Sequence, residues 1–270
     1  MMMHPLILDK EKEIQFLKLA ESRNFKLIDT PFIETLVWET LSSDDLKQMS
    51  ERSVWQSGSQ LYGLRNDFTD QLVRYYQDYP LQDRAVAYAG SIVRNQRVCT
   101  QLGLEYYQPS IQEIHDTFET FKLYIEHCLE DQIQYVVIGH YQLTDLLLNN
   151  VQHDSQLLTW IAQRNISELK SALGLSHPVV QLLLTPTHQQ LSLLNTLFPS
   201  DHYILRSLNR WDTYFKSLGI TPIHLDMTPQ PPRSYYKGAF IHAHLKKSNL
   251  TLTGGYYKDT LEGFGLGLTL

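Results

Sequence analysis

The chain has 270 residues, 43% of them hydrophobic and 19% charged, which suits a globular protein with one large or two modest domains and a substantial buried core. Its 23 basic residues are scattered and outnumbered by 29 acidic ones, giving a net charge of −6 and a pI of about 6.0; phosphate recognition needs clustered Lys and Arg, so no nucleic-acid partner is expected. No apolar run approaches the roughly 20 residues that span a bilayer, and Met1-Met2-Met3-His4-Pro5 lacks the basic start and apolar stretch of a signal peptide, so a cytoplasmic protein without a membrane partner is expected.

Residues 10–21 place Ile14, Leu17 and Leu19 near one face and predict an amphipathic helix. Residues 25–30 read as a strand stopped by Pro31, and 61–67 as another. The segment 68–79 predicts a helix capped by Asp67 or Thr69. Two strand-like segments follow, 85–93 and 100–106, separated by a short polar stretch from Arg94 to Arg97. A helix from about 110 to 129 and a buried strand over 135–139 come next. From 141 to 218 leucine-rich helical segments replace the strand pattern, which returns at 223–227, 239–245 and 251–257. Strands on both sides of a helical block predict an α+β fold, with 1–140 and 219–270 as a discontinuous core and 141–218 as a helical insertion subdomain.

Several patterns carry little chemistry. Cys99 and Cys128 stand in no zinc-type or CxxC spacing, and each reads as a small buried hydrophobe. His242 and His244 put two imidazoles on one strand face, half of a metal site, but no third ligand is suggested nearby, so no metal is expected. The glycines at 263, 265 and 267 lack a following helix to receive a phosphate. No other nucleotide-binding, hydrolase or metalloprotease motif is present, and no cofactor is implied.

Four segments, taken in order, resemble histidyl-tRNA synthetase and its class II relatives. Leu64-Arg65-Asn66-Asp67-Phe68-Thr69 with Arg74 resembles the family's LRPE-x-T…R segment, whose acidic residue and threonine hold the α-amino group of histidine. Gly90 and Arg94 through Gln101-Leu102-Gly103-Leu104-Glu105 are similar to motif 2 and the Q-x-G-x-E that follows it. Arg233-Ser234-Tyr235-Tyr236-Lys237-Gly238 is similar to RGLDYYTG, and Gly254-Gly255-Tyr256-Tyr257 with the closing GFGLGL to GGRYDGL and motif 3. The resemblance covers most of the chain outside the helical block. It implies a class II aminoacyl-tRNA synthetase-like core, a mixed, mainly antiparallel sheet flanked by helices. Thr30-Pro31-Phe32-Ile33-Glu34 resembles motif 1, across which class II cores pair, and implies a homodimer.

The chemistry of these residues fits free histidine. Asp67, Thr69, Gln101 and Glu105 supply acceptors for an ammonium group and ring nitrogens, and Arg94 offers a bidentate fork to a carboxylate. Gln101 and Glu105 are four residues apart, a spacing that returns both to one face of a strand. Tyr235, Tyr236 and Tyr257 are candidates to frame the ring. Taken singly, Asp67 is as readily a helix N-cap, the tyrosine pair a strand-face feature and Gly254-Gly255 a turn.

ATP chemistry is where the chain departs from the synthetase. The glutamate that reads adenine falls on Gln96, in a loop cut so short that Arg94 lies seven residues from Gln101. The arginine opening RGLDYYTG falls on Pro231, and the motif-3 arginine on Leu270. Each such loss costs on the order of two to four decades of rate. This selective loss resembles one branch of the family, the regulatory subunits of ATP phosphoribosyltransferase. That resemblance implies a non-catalytic chain partnered with the short-form catalytic subunit in the first step of histidine biosynthesis, with L-histidine as feedback effector. A tRNA-independent amino-acid ligase is the alternative, and a tRNA-binding module is disfavoured by the acidic balance.

Overall fold

A computed structural model describes residues 4–38, 41, 43–148, 154–227, 231–259 and 261–270; residues 1–3 and part of the predicted helical block, 149–153, lie outside them. In chain order the elements begin α1 (Pro5–Ser22), β1 (Lys26–Leu27), β2 (Ile33–Leu36), α2 (Ser43–Gln48), β3 (Val54–Ser57) and β4 (Gln60–Leu64). They continue through α3 (Phe68–Asp78), β5 (Ala85–Arg94), β6 (Arg97–Tyr107), α4 (Ile111–His127) and β7 (Ile133–His140). Short helices follow: α5 (Leu143–Leu147), α6 (Ser155–Ala162), α7 (Ile166–Leu173), α8 (Pro178–Leu184), α9 (Gln190–Leu197) and the longer α10 (Tyr203–Ser217). The last elements are β8 (Ile223–Asp226), β9 (Tyr236–Leu245), β10 (Thr251–Lys258) and β11 (Glu262–Thr269).

The chain forms two compact units. The first comprises residues 1–132, 247–254 and 259–270, the second 133–246 and 255–258. In the first unit the strand order is β1-β5-β6-β11-β10, with β1 parallel to β5 and the β5/β6 and β6/β11 pairs antiparallel. A separate three-stranded sheet has the order β2-β4-β3. In the second unit the order is β10-β9-β7-β8, with β7 antiparallel to β9 and parallel to β8. This is the mixed, mainly antiparallel α+β arrangement expected from the sequence.

Local chemistry sets most boundaries. α1 starts five residues before the predicted helix because Pro5 suits a first turn and the His4 ring accepts from the Leu6 N–H at 3.2 Å. α3 is capped by Asp67, whose Oδ1 accepts from the Asp70 N–H at 3.1 Å. α4 opens with a capping box between Ser110 and Glu113. The polar stretch between β5 and β6 shrinks to Asn95-Gln96, with φ of 49° and 61°, the left-handed pair that a tight two-residue hairpin turn requires.

β11 had no strand signal, since its three glycines weaken strand propensity. It nonetheless pairs with β6 in unbroken register from Gly263↔Tyr107 to Thr269↔Gln101. The two cysteines depart from the expected burial: both are free thiols of intermediate exposure, Cys99 near the hairpin end of β6 and Cys128 at the C-cap of α4. Leucines of the helical block are mostly spent on packing. Leu157, Leu169, Leu182, Leu194, Leu205 and Leu208 are buried, and the block shares a unit with β7, β8 and β9.

In the first unit α1 and α4 cover one sheet face. Phe16 meets Phe121 and Tyr124 with ring centroids 5.2 Å apart in each pair, above buried Ala87, Leu102, Leu104, Leu266 and Leu268. Thr100 marks that face by donating to Glu13 of α1 at 3.2 Å. In the second unit α10 lies on β7 and β9, burying Leu208, Trp211 and Phe215 with Val136, Ile138, Ile241 and Ala243.

Asp131 ties the end of α4 to the turn after β9. Its carboxylate accepts from the Gln132 N–H at 2.7 Å, the Lys247 N–H at 2.9 Å, and the N–H and hydroxyl of Ser248, both at 2.8 Å. Burial alone would raise its pKa, but these donors outweigh burial and hold it at about 2. Its unfolded value is roughly 3.9, so the stabilisation is present above that pH and is lost as pH falls through about 2. Asp131→Asn faces its amide against backbone donors and should lose on the order of 2 kcal/mol in urea unfolding at pH 7. The gap to the unaltered protein should narrow as the pH of the titration is lowered toward 3.

Candidate functional site

The opposite face of the first unit's sheet carries the polar residues. Alternation along β6 puts Gln101, Gly103, Glu105 and Tyr107 on this face, away from Leu102 and Leu104. Register then aligns three rows across the strands: Gly90, Gln101 and Thr269; Tyr88, Gly103 and Gly267; Val86, Glu105 and Gly265. The start of α3 lies over these rows. The Phe68 N–H donates to Gln101 Oε1 at 3.1 Å, and Phe68 stacks on Tyr88 with centroids 4.3 Å apart and planes 10° from parallel.

Two linked networks result. In one, Thr69 Oγ1 donates to Glu105 Oε1 at 2.6 Å, the Tyr88 hydroxyl donates to the same oxygen at 3.2 Å, and the Thr69 and Tyr88 hydroxyls lie 3.2 Å apart. Glu105 is 1% exposed. In the other, Asp67 Oδ2 accepts from Gln101 Nε2 at 3.1 Å and from Arg94 Nη2, while Arg94 Nε donates to the Asn66 carbonyl at 2.7 Å. Burial first, then the neighbouring Asp70 carboxylate, push the Asp67 carboxyl above the ordinary range, against the opposing pull of Arg94.

The five candidates from the 67–105 stretch therefore fall into two neighbouring networks, Asp67, Arg94 and Gln101 in one and Thr69 and Glu105 in the other, joined through the chain at the start of α3. Arg94 spends its fork on Asp67 and a main-chain carbonyl. The three tyrosines gather in the second unit. Tyr235 and Tyr236 have centroids 4.9 Å apart, and Tyr257, 1% exposed, meets Tyr235 at 5.8 Å and Tyr236 at 6.1 Å in edge-on fashion.

Some residues of the site could not be picked out beforehand. Tyr88 sits in an apolar strand run and is singled out only by register with Gly103, where an added Cβ would meet its ring at 2.1 Å. Arg65 is buried beneath α3, its guanidinium carbon 3.8 Å from the Phe68 ring centroid, with donors to Thr30 O at 2.6 Å and Ser91 O at 3.1 Å. Arg74 turns instead to the small sheet, bidentate to Glu34 at 2.9 and 3.0 Å and bonded to Asp45 at 3.0 Å. Burial and the Arg74 charge pull the Arg52 guanidinium, also paired with Glu34, down to about 10, so it stays protonated near neutrality.

His242 and His244 do share a face, and His224 joins them. His224 and His242, however, both pair with Val137, so a whole strand separates them, about 10 Å. Among the described residues no three His, Cys, Asp or Glu side chains could hold a metal ion.

The histidyl-tRNA synthetase family model matches residues 9–268. An ATP phosphoribosyltransferase regulatory subunit from Staphylococcus epidermidis is 46% identical over 270 residues, covering 100% of both chains. One from Staphylococcus aureus is 46% identical over 266 residues, covering 98% of both. A chain of the ATP phosphoribosyl transferase (HisG:HisZ) complex from Thermotoga maritima has the same fold, with a TM-score of 0.76, 19% identity and 97% of each chain covered. An ATP phosphoribosyltransferase regulatory subunit/histidyl-tRNA synthetase from Bacillus halodurans gives a TM-score of 0.77 at 18% identity, covering 98% of this chain and 77% of that one.

The Asp67 network makes a stability prediction. Asp67→Ala removes the cap of α3 and the acceptor of both Arg94 and Gln101, and should cost about 2 kcal/mol in equilibrium unfolding. Arg94→Ala acts through the same contact, so the double variant should lose clearly less than the two single losses added together.

Proposed function

Because this chain belongs to the family of ATP phosphoribosyltransferase regulatory subunits, we propose that it works as a homodimer bound to the short-form catalytic subunit and carries the L-histidine signal that restrains the first step of histidine biosynthesis. The observation that carries this is the 46% identity to named regulatory subunits along the whole chain. The chain is a regulatory subunit and not the catalyst. Where the synthetase has arginines for the ATP phosphates this chain has Pro231 and Leu270, which bring no cation, and Gln96 takes the place of the glutamate that reads adenine.

The histidine role draws its support from the cluster around Glu105. Its carboxyl groups are of the kind that accept from the α-ammonium of an amino acid, and Thr69 and Tyr88 fix the orientation of Glu105 while Gln101 fixes that of Asp67. Inhibition then requires histidine to bind the restrained state of the complex more tightly than the active one, because equal affinity for both would shift nothing. The homodimer draws support from the small sheet. Register places Ile33, Thr35, Tyr62 and Trp55 on one side of it, with Ile33 and Trp55 51% and 40% exposed, an apolar surface suited to a second copy. An absence of nucleic-acid partners accords with the net charge of −6. No helix among the described residues is long and apolar enough to cross a membrane.

Reconstitution tests the whole reading. Alone, the chain should transfer no phosphoribosyl group; mixed with a short-form catalytic subunit, it should co-purify and restore both activity and histidine inhibition. Amino-acid-dependent ATP–pyrophosphate exchange should be absent, and turnover in that assay would establish the ligase instead. In calorimetry Glu105→Gln should weaken histidine binding about 10- to 100-fold. Unchanged binding would move the effector site elsewhere.

A further inference from the structure

We propose that Gly265 is the positioning residue of the histidine site, the position whose missing side chain sets where the Glu105 carboxylate lies. The proposal rests on the histidine-binding role given above to the Glu105 cluster. Gly265 and Glu105 are in-register neighbours on β11 and β6, so their side-chain positions project from the same face and their backbones are fixed together by the sheet. A Cβ at residue 265 would stand 2.1 Å from Oε2, 2.5 Å from Cδ and 2.6 Å from Oε1 of Glu105. The carboxylate occupies the space where a side chain would begin.

Glu105 has no easy way to yield. It is 1% exposed, and Oε1 is held by Thr69 at 2.6 Å and by Tyr88 at 3.2 Å. A methyl group at 265 would displace the carboxylate from the position in which it meets both hydroxyls. Gly267, two residues along the same strand and on the same face, is a built-in control. A Cβ there meets nothing nearer than 3.6 Å, an ordinary contact with Gln101 Nε2 and the Leu102 carbonyl. The two glycines are equivalent in the sequence and opposite in the structure.

The experiment compares Gly265→Ala, Gly267→Ala, Glu105→Asp and the double variant Gly265→Ala/Glu105→Asp in the full chain. Calorimetry with L-histidine is run beside urea unfolding of each protein. Gly265→Ala should weaken histidine binding at least tenfold and Gly267→Ala by less than about threefold. The shorter aspartate withdraws the carboxylate from the added methyl, so the double variant should bind better than Gly265→Ala alone, and the unfolding losses of the two single changes should fail to add. Equal effects at 265 and 267, or no recovery in the double variant, would overturn the proposal. If the unaltered chain binds no histidine, the effector reading fails, and the unfolding cycle still decides: additive losses would show that Gly265 does not position Glu105, and non-additive losses that it does.

Discussion

Glu105 keeps a carboxyl group under the first turn of α3 with 1% of its surface exposed, and burying such a group is costly unless donors meet it and space is left for it. Two hydroxyls, from Thr69 and Tyr88, come from an element above the sheet and from the strand beside it. The space comes from Gly265 on the other side. The tight packing of Tyr88 over Gly103 follows from the same need, because the phenol reaches the carboxylate only if its ring lies flat on β6. Thr69 at the start of α3, Tyr88 on β5 and the missing side chain at Gly265 on β11 all meet at this one buried acid.

Asp67 anchors the start of α3, the helix that brings Thr69 to this acid. Its Oδ1 caps α3 while Oδ2 holds Arg94 and Gln101, and Gln101 in turn accepts from the first helical N–H. The helix cannot shift without disturbing both acids, so the orientation of Thr69 is settled by interactions on either side of it. An arrangement of this kind suits binding better than turnover. In the proposed role the polar groups are fixed before a ligand arrives, which lowers the ordering cost of recognition. Arg94 shows the other side of that economy, since its fork is already occupied by Asp67 and the Asn66 carbonyl. A ligand carboxylate would have to share it or draw its cation from the partner subunit.

Much was legible in the sequence because local rules act over a few residues. The caps at Asp67 and Ser110, the strand alternation through Gln101 and Glu105, and the leucine periodicity of the helical block are short-range patterns, and each element appeared close to its expected bounds. β11 was not legible, because its glycines argue against a strand on propensity alone and make sense only once Glu105 is known to lie across from Gly265. β2 and β3 escaped for a related reason: strands of four residues show too little alternation to stand out.

The Glu105 cluster divides along the same line. The sequence by itself determined which groups are available: the acceptors Asp67, Thr69, Gln101 and Glu105, the fork of Arg94, and uncharged side chains at Pro231 and Leu270 where a phosphate clamp would need cations. Residue type settles that chemistry, and no fold can change it. Only the tertiary structure decided who is bonded to whom: that Arg94 turns to Asp67, that Tyr88 joins Thr69 on Glu105, and that Gly265 and Gly267 have different neighbours. Those outcomes depend on which strands pair, in what register, and where α3 lies over them, none of which follows from the spacing of residues along one strand.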